Sequence, residues 1–128
     1  MVSRQLIQSE HAPAPVAKYA QAVLCNGLLF VQGMIGLDPK TGKLVDGGVE
    51  SQTFQVFRSI EAILHEAGMT VADLVKITVF LADLSDYPRF NALYNAWVNP
   101  QTPPARTTVE AKMPLDARIE IECIAAKS

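Results

Sequence analysis

Arg106 and Glu120 are the two side chains whose types and setting could do chemistry together. Arg106 follows Pro103, Pro104 and Ala105. Restricted φ in these neighbours stiffens the backbone, so the guanidinium can present a fixed fork to a carboxylate. Glu120 lies in the run Arg118-Ile119-Glu120-Ile121-Glu122-Cys123. Period-2 alternation places Arg118, Glu120 and Glu122 on one face of a strand and Ile119, Ile121 and Cys123 on the other. A carboxylate so placed can orient a water molecule and take its proton.

The spacing predicts two β-runs, 106–111 and 117–126, joined by a turn on Met113, Pro114 and Asp116. If they form an antiparallel hairpin centred near Met113, Arg106 falls opposite Glu120. Two readings stay open. One is a solvated cross-strand ion pair, which is worth little. The other is an anion site.

The elements that must position these residues are legible upstream. Gln5 to Gln8 reads as a short strand, and Pro13 and Pro15 impose an irregular passage as far as Lys18. Tyr19 to Leu24 and Leu28 to Gly33 flank Cys25-Asn26-Gly27, and Asn-Gly is a strong hairpin signal. Asp38-Pro39-Lys40-Thr41-Gly42 reads as a turn. From Val49 to Ala67, Val56, Phe57, Ile60, Ile63, Leu64 and Ala67 follow helical spacing, with Gly68 as the stop. Leu74 to Leu81 is a strand rich in β-branched residues. Tyr87 to Val98 is a second helix with Pro88 in its first turn and Phe90, Leu93, Tyr94 and Trp97 as its buried stripe. Asn99 and Pro100 end it. The expected fold class is therefore α+β, a single domain over residues 1–128 with two helices on one face of a mixed sheet. The other face carries Thr, Val and Ile positions, and an apolar-leaning face of that kind implies self-association.

Composition bounds the function. A chain of 128 residues, 49% hydrophobic and 19% charged, is that of an ordinary globular domain. A net charge of −2 without a Lys/Arg cluster argues against nucleic acid as a partner. No segment approaches the roughly 18 apolar residues of a membrane span, and no leader-like apolar run opens the chain, so the cytoplasm is expected. Cys25 and Cys123 lie in apolar runs and read as reduced, buried thiols. His11 and His65 show no metal-ligand spacing and read as solvated, so no metal is expected. Neither a nucleophile elbow nor a Gly-rich phosphate loop occurs, which leaves chemistry without a cofactor.

Several stretches carry a resemblance. Pro-Ala-Arg-Thr-Thr-Val-Glu from Pro104, and Pro-Leu-Asp-Ala-Arg-Ile-Glu-Ile-Glu-Cys-Ile-Ala from Pro114, closely resemble the signature of the reactive intermediate deaminase family, also called Rid or YjgF. The likeness extends to Asp-Leu-Val-Lys-Ile-Thr-Val-Phe-Leu-Ala-Asp-Leu-Ser-Asp-Tyr from Asp73, Asp-Pro-Lys-Thr-Gly from Asp38 and Pro-Val-Ala-Lys-Tyr-Ala-Gln-Ala-Val from Pro15. This resemblance implies a chorismate-mutase-like homotrimer with clefts between subunits. It implies hydrolysis of 2-imino and 2-enamino acids such as 2-aminoacrylate, 2-iminopropanoate and 2-iminobutanoate to 2-keto acids and ammonia. Arg106 matches the family's carboxylate-binding arginine and Glu120 its water-directing glutamate. Tyr19 and Asn91 match pocket residues, and the Gly33 and Thr108 backbones match strand positions that approach the ligand.

Each match has a plainer reading: Tyr19 as interface packing, Asn91 as a locally hydrogen-bonded helix residue. Gln32 stands where well-characterised members have serine, Thr108 where some have cysteine, and the link between the last two strands is one residue shorter than the common pattern. Gln32 makes a pathway deaminase of a larger enamine acid, such as 2-aminomuconate, one rival. A non-catalytic binding protein for small carboxylates is another. A ribonuclease or translation inhibitor, a label given to some relatives, is disfavoured by the acidic balance and the lack of a histidine acid/base pair.

Overall fold

The structure, a computed structural model, describes residues 3–127; Met1, Val2 and Ser128, at the ends of the expected 1–128 domain, lie outside them. Strands β1 (Arg4–Ile7), β2 (Ala22–Cys25) and β3 (Leu28–Ile35) precede helix α1 (Gly48–Glu66). Strand β4 (Leu74–Leu81), helix α2 (Tyr87–Trp97), β5 (Ala105–Glu110) and β6 (Ile119–Ala126) follow. They form one six-stranded sheet in the order β1-β2-β3-β6-β4-β5, antiparallel except for the parallel pair β4 and β5. The mixed sheet and the two helices are as the sequence predicts.

The local signals hold. Asn26 and Gly27 both take positive φ, as a two-residue hairpin turn requires. Gly68, at φ 72°, closes α1 with the Met69 amide donating to the Leu64 carbonyl at 2.8 Å. The predicted stripe of α1 is buried against Leu29, Val31 and Met34 of β3, Ile77, Val79 and Leu81 of β4, and Ile119 and Ile121 of β6. Each such side chain contributes roughly 1.5–3 kcal/mol relative to exposure. Phe57 of α1 stacks on Trp97 of α2 at 4.0 Å between ring centroids, locking the two helices together. Cys123 belongs to this core, and burial, reinforced by Glu122, pushes its thiol up to about 12. Cys25 departs from expectation by being only half-buried.

The C-terminal hairpin does not form. β5 pairs with β4 alone, in parallel, and β6 inserts between β3 and β4. The reason is topological. A helix between two neighbouring strands carries the chain back to its starting end, so β4-α2-β5 is parallel. Polar β5 suits a sheet edge, whereas the alternation Ile119, Ile121, Cys123, Ala125 suits a strand paired on both sides. The link 111–118 therefore steps over the end of β4, with Ala111 donating to the Leu81 carbonyl at 2.9 Å and Ala82 to the Arg118 carbonyl at 3.0 Å. Arg118 consequently lies just before β6 and not within it. Tyr19 likewise lies ahead of β2, in the irregular passage.

Candidate functional site

In the observed register Arg106 sits beside Ile77, and Glu120 beside Phe80 and Ile35. Side chains directly opposed on neighbouring strands share a face. Arg106 therefore lies on the helix side of the sheet with buried Ile77, and Glu120 lies on the open side. The cross-strand ion pair weighed from spacing does not exist, because the two groups are on opposite faces with β4 between their strands.

Helix α2 builds a cradle for Arg106. Tyr87, Asn91 and Tyr94, spaced i, i+4 and i+7, share one face of the helix. The guanidinium donates from Nη1 to Asn91 Oδ1 at 2.8 Å and from Nη2 to the Tyr87 hydroxyl, and lies 4.5 Å from the Tyr94 ring centroid. Cation–π contact and neutral acceptors fix the group while occupying only part of its donor set. Burial raises the Tyr94 phenol, against the opposing charge of Arg106. Thr108, two residues along β5, shares the cradle face. Its Oγ1 is the one buried side-chain oxygen or nitrogen without a hydrogen-bond partner among the described residues. The sequence reading placed Asn91 here through resemblance and took Tyr94 for core. It missed Tyr87, which the i, i+4, i+7 spacing from Tyr94 could have revealed.

Glu120 has a different setting. It lines a cavity of about 420 Å³ with Tyr19, Gln32, Gly33 and Pro114. A shift in pairing between Val31 and Met34 makes a bulge of Gln32 and Gly33. A Cβ on Gly33 would collide with Glu120 Oε2, so the glycine makes room for the carboxylate. Burial raises the Glu120 carboxyl above its ordinary range, and neighbouring Glu122 adds to the shift. The Tyr19 hydroxyl accepts a long bond from the Val16 amide at 3.4 Å, and Gln32 Nε2 reaches Met34 Sδ at 3.8 Å. The Gln32 donor is thus turned on to a thioether.

The seven candidate residues therefore fall into two groups within one chain. Arg106, Asn91 and Thr108 form the cradle; Glu120, Gly33, Gln32 and Tyr19 form the hollow. Neither Arg106 nor Glu120 takes part in an ion pair among the described residues; those pairs are Glu10–His11, Glu50–Arg89, Asp86–Arg89 and Asp86–Arg118. His11 and His65 are exposed. Asp86, only 1% exposed, ties the groups together: its Oδ1 accepts from Arg89 at 2.9 Å and its Oδ2 from Arg118 at 2.7 Å. Asp86 adjoins Tyr87 and Arg118 lies two residues before Glu120, so one carboxylate joins the cradle's helix to the hollow's strand. No helix among the described residues is long and apolar enough to cross a membrane.

Comparison with known proteins identifies the family. The family model described as endoribonuclease L-PSP matches residues 9–127. The chloroplastic Reactive Intermediate Deaminase A of Arabidopsis thaliana is 43% identical over 125 residues, covering 97% of this chain and 66% of that protein. The 2-iminobutanoate/2-iminopropanoate deaminase of Rattus norvegicus is 37% identical over 126 residues, covering 98% and 92%. The crystal structure of RidA from the Antarctic bacterium Psychrobacter sp. PAMC 21119 superposes with a TM-score of 0.91 at 38% identity, covering 96% of this chain and 99% of that one. With this sheet order, these two helices and matches along nearly its whole length, the chain belongs to the reactive intermediate deaminase (Rid/YjgF) family.

Proposed function

We propose that the chain hydrolyses 2-imino and 2-enamino acids to 2-keto acids and ammonium, at sites completed between two copies of a homotrimer. The observation that carries this reading is the separation of the cradle and the hollow on opposite faces of one sheet. Among the described residues Arg106 is an oriented cation without a carboxylate partner, and Glu120 is a carboxylate without a cation. Each supplies what the other lacks, and a second copy brings them together. The open face offers the contact surface, with Phe30 44% and Val109 39% exposed on it.

In this reading Arg106 binds the substrate carboxylate by charge-assisted hydrogen bonds. Glu120 of the neighbouring copy holds a water against the imine carbon. As the water oxygen bonds to that carbon, Glu120 takes its proton and the C=N electron pair moves to nitrogen. With the imine entering protonated, that proton then passes from Glu120 to the adduct's nitrogen; the hydroxyl oxygen's lone pair closes the C=O bond as the C–N bond breaks, and the ammonia that leaves with the C–N pair takes up the hydroxyl proton as ammonium. No covalent enzyme intermediate and no cofactor are needed. Two relatives named as deaminases support the reaction class. A dicarboxylate such as 2-aminomuconate suits the hollow less well, because Glu120 is the only charged lining residue among the described residues and would face the second carboxylate.

The test generates an imine with an amino-acid oxidase and traps survivors with semicarbazide. Wild type should suppress semicarbazone formation, while Arg106→Ala and Glu120→Gln alone should not. Co-expressed, the two variants should recover about a quarter of the wild-type rate, the share of inter-subunit sites that receive one intact half from each copy. A site built within one chain gives no recovery in any mixture. Ligand binding by wild type without turnover would identify a carboxylate-binding protein instead.

A further inference from the structure

One buried charge takes no part in the reaction. Asp86, at the start of α2, is almost wholly enclosed, a rare setting for a carboxylate. A carboxylate buried this deeply is tolerated only when paired, and the pairing seldom adds net stability over an apolar residue of the same size. What the pairing fixes is geometry. Oδ1 accepts from Arg89, one turn along the same helix, and Oδ2 accepts from Arg118 Nη2. Arg118 is held on its main chain as well. Its amide donates to Gln52 Oε1 of α1 at 2.8 Å, and its carbonyl accepts from the Ala82 amide at 3.0 Å. Gln52 is itself buried. The residue two places before Glu120 is therefore tied at both backbone polar groups and at its guanidinium. At the other end, Asp86 immediately precedes Tyr87, and Tyr87 with Asn91 aims Arg106.

We infer that Asp86 is a positioning residue that aligns Arg106 of one cleft and Glu120 of the next, acting through Tyr87 and Asn91 on one side and through Arg118 on the other. This inference rests on the shared-site reading above and adds a residue to it. In a ring of three copies the cradle and the hollow of one chain serve different clefts. Each Arg89–Asp86–Arg118 bridge therefore stands between two clefts. A misplacement of about 1 Å can cost up to about a hundredfold in rate. Loss of the bridge is felt twice: as weaker capture of the substrate carboxylate in the cleft served by Arg106, and as slower proton transfer in the cleft served by Glu120.

The experiment adds Asp86→Asn, which keeps the shape and removes the charge, to one chain at a time of the co-expressed pair. Working mixed sites take Arg106 from the Glu120→Gln chain and Glu120 from the Arg106→Ala chain. The imine made from leucine by an amino-acid oxidase is the substrate, and native mass spectrometry counts the mixed trimers. On the Glu120→Gln chain, Asp86→Asn reaches the working sites only through the cradle, and should raise KM about fivefold with kcat retained. On the Arg106→Ala chain it reaches them only through the strand of Glu120, and should lower kcat about tenfold with KM retained. A general loss of stability does not divide in this way. Arg118→Gln, at a side chain 44% exposed, is the variant expected to fold in any case. On the Arg106→Ala chain it should also lower kcat, and Asp86→Asn added to it should lower kcat little further. The same change from both placements, no change from either, or full additivity of the two substitutions would overturn the inference and leave the deaminase reading intact. Absence of recovery in the mixture without Asp86→Asn would remove the shared-site reading, and the two-cleft role with it.

Discussion

The cradle and the hollow treat their charged groups in opposite ways. Arg106 is surrounded by acceptors and aromatic faces that stabilise its charge without neutralising it. Glu120 lies against apolar walls, with a second carboxylate nearby, and is made reluctant to ionise. The difference suits the two roles proposed for them. A guanidinium stays protonated in any protein, so all its surroundings can tune is direction. A carboxylate that must accept a proton gains basicity from a raised pKa, so its surroundings can tune strength.

That contrast is most directly tested by removing the basicity alone. Glu120→Gln should lower kcat by about a hundredfold or more while leaving KM nearly unchanged, since proton transfer and not carboxylate binding is lost. Equal losses in both constants would show that Glu120 contributes binding instead. In wild type the rate should fall as the solution is acidified through the raised pKa of Glu120. Glu122→Gln, which removes the second cause of the shift, should move that limb to lower pH. Stability has the reverse sign. A carboxyl whose folded pKa is raised stabilises the fold while protonated, and that contribution is lost as pH rises through the folded value. Glu120→Gln should therefore melt above wild type at neutral pH, and the two curves should converge in acid.

A smaller effect is expected from crowding the same carboxylate. Gly33→Ala places a methyl where Glu120 Oε2 now lies, so the side chain must turn away. A displacement of this kind should reduce kcat about tenfold, with the melting temperature little altered. An unchanged rate would mean that the carboxylate acts from another position. The smallest effect sharpens the other half. Thr108→Val removes an unpartnered hydroxyl, so stability should hold or rise by up to about 1 kcal/mol. If the hydroxyl meets substrate, KM should rise a few-fold with kcat retained; an unmoved KM would make Thr108 a packing residue.

Most of the fold was legible because its signals are local. The Asn26-Gly27 turn, the α1 stripe ending at Gly68 and the β4 run each depend on residues within one element. The partner of β5 was not legible from its own residues, since the short link to β6 reads as a hairpin. Only α2, acting as a crossover, and the choice of β6 as a central strand decide otherwise. The site shows the same division. Arg106 and Glu120 stand out by type, but their assignment to opposite faces depends on register with β4, a strand some 30 residues before β5. Tyr87 was hidden because its place at a helix start already explained it.

The position of β6 bears on how the sheet assembles. The last strand of the chain lies in the middle of the sheet, hydrogen-bonded to β3 on one side and β4 on the other. The two half-sheets, β1-β2-β3 and β4-β5, are therefore joined only through β6 and have facing edges unpaired until it is in place. Before β6 docks, those edges are open to pairing with other chains. Docking of β6, and not the folding of any earlier element, is the event that closes the sheet.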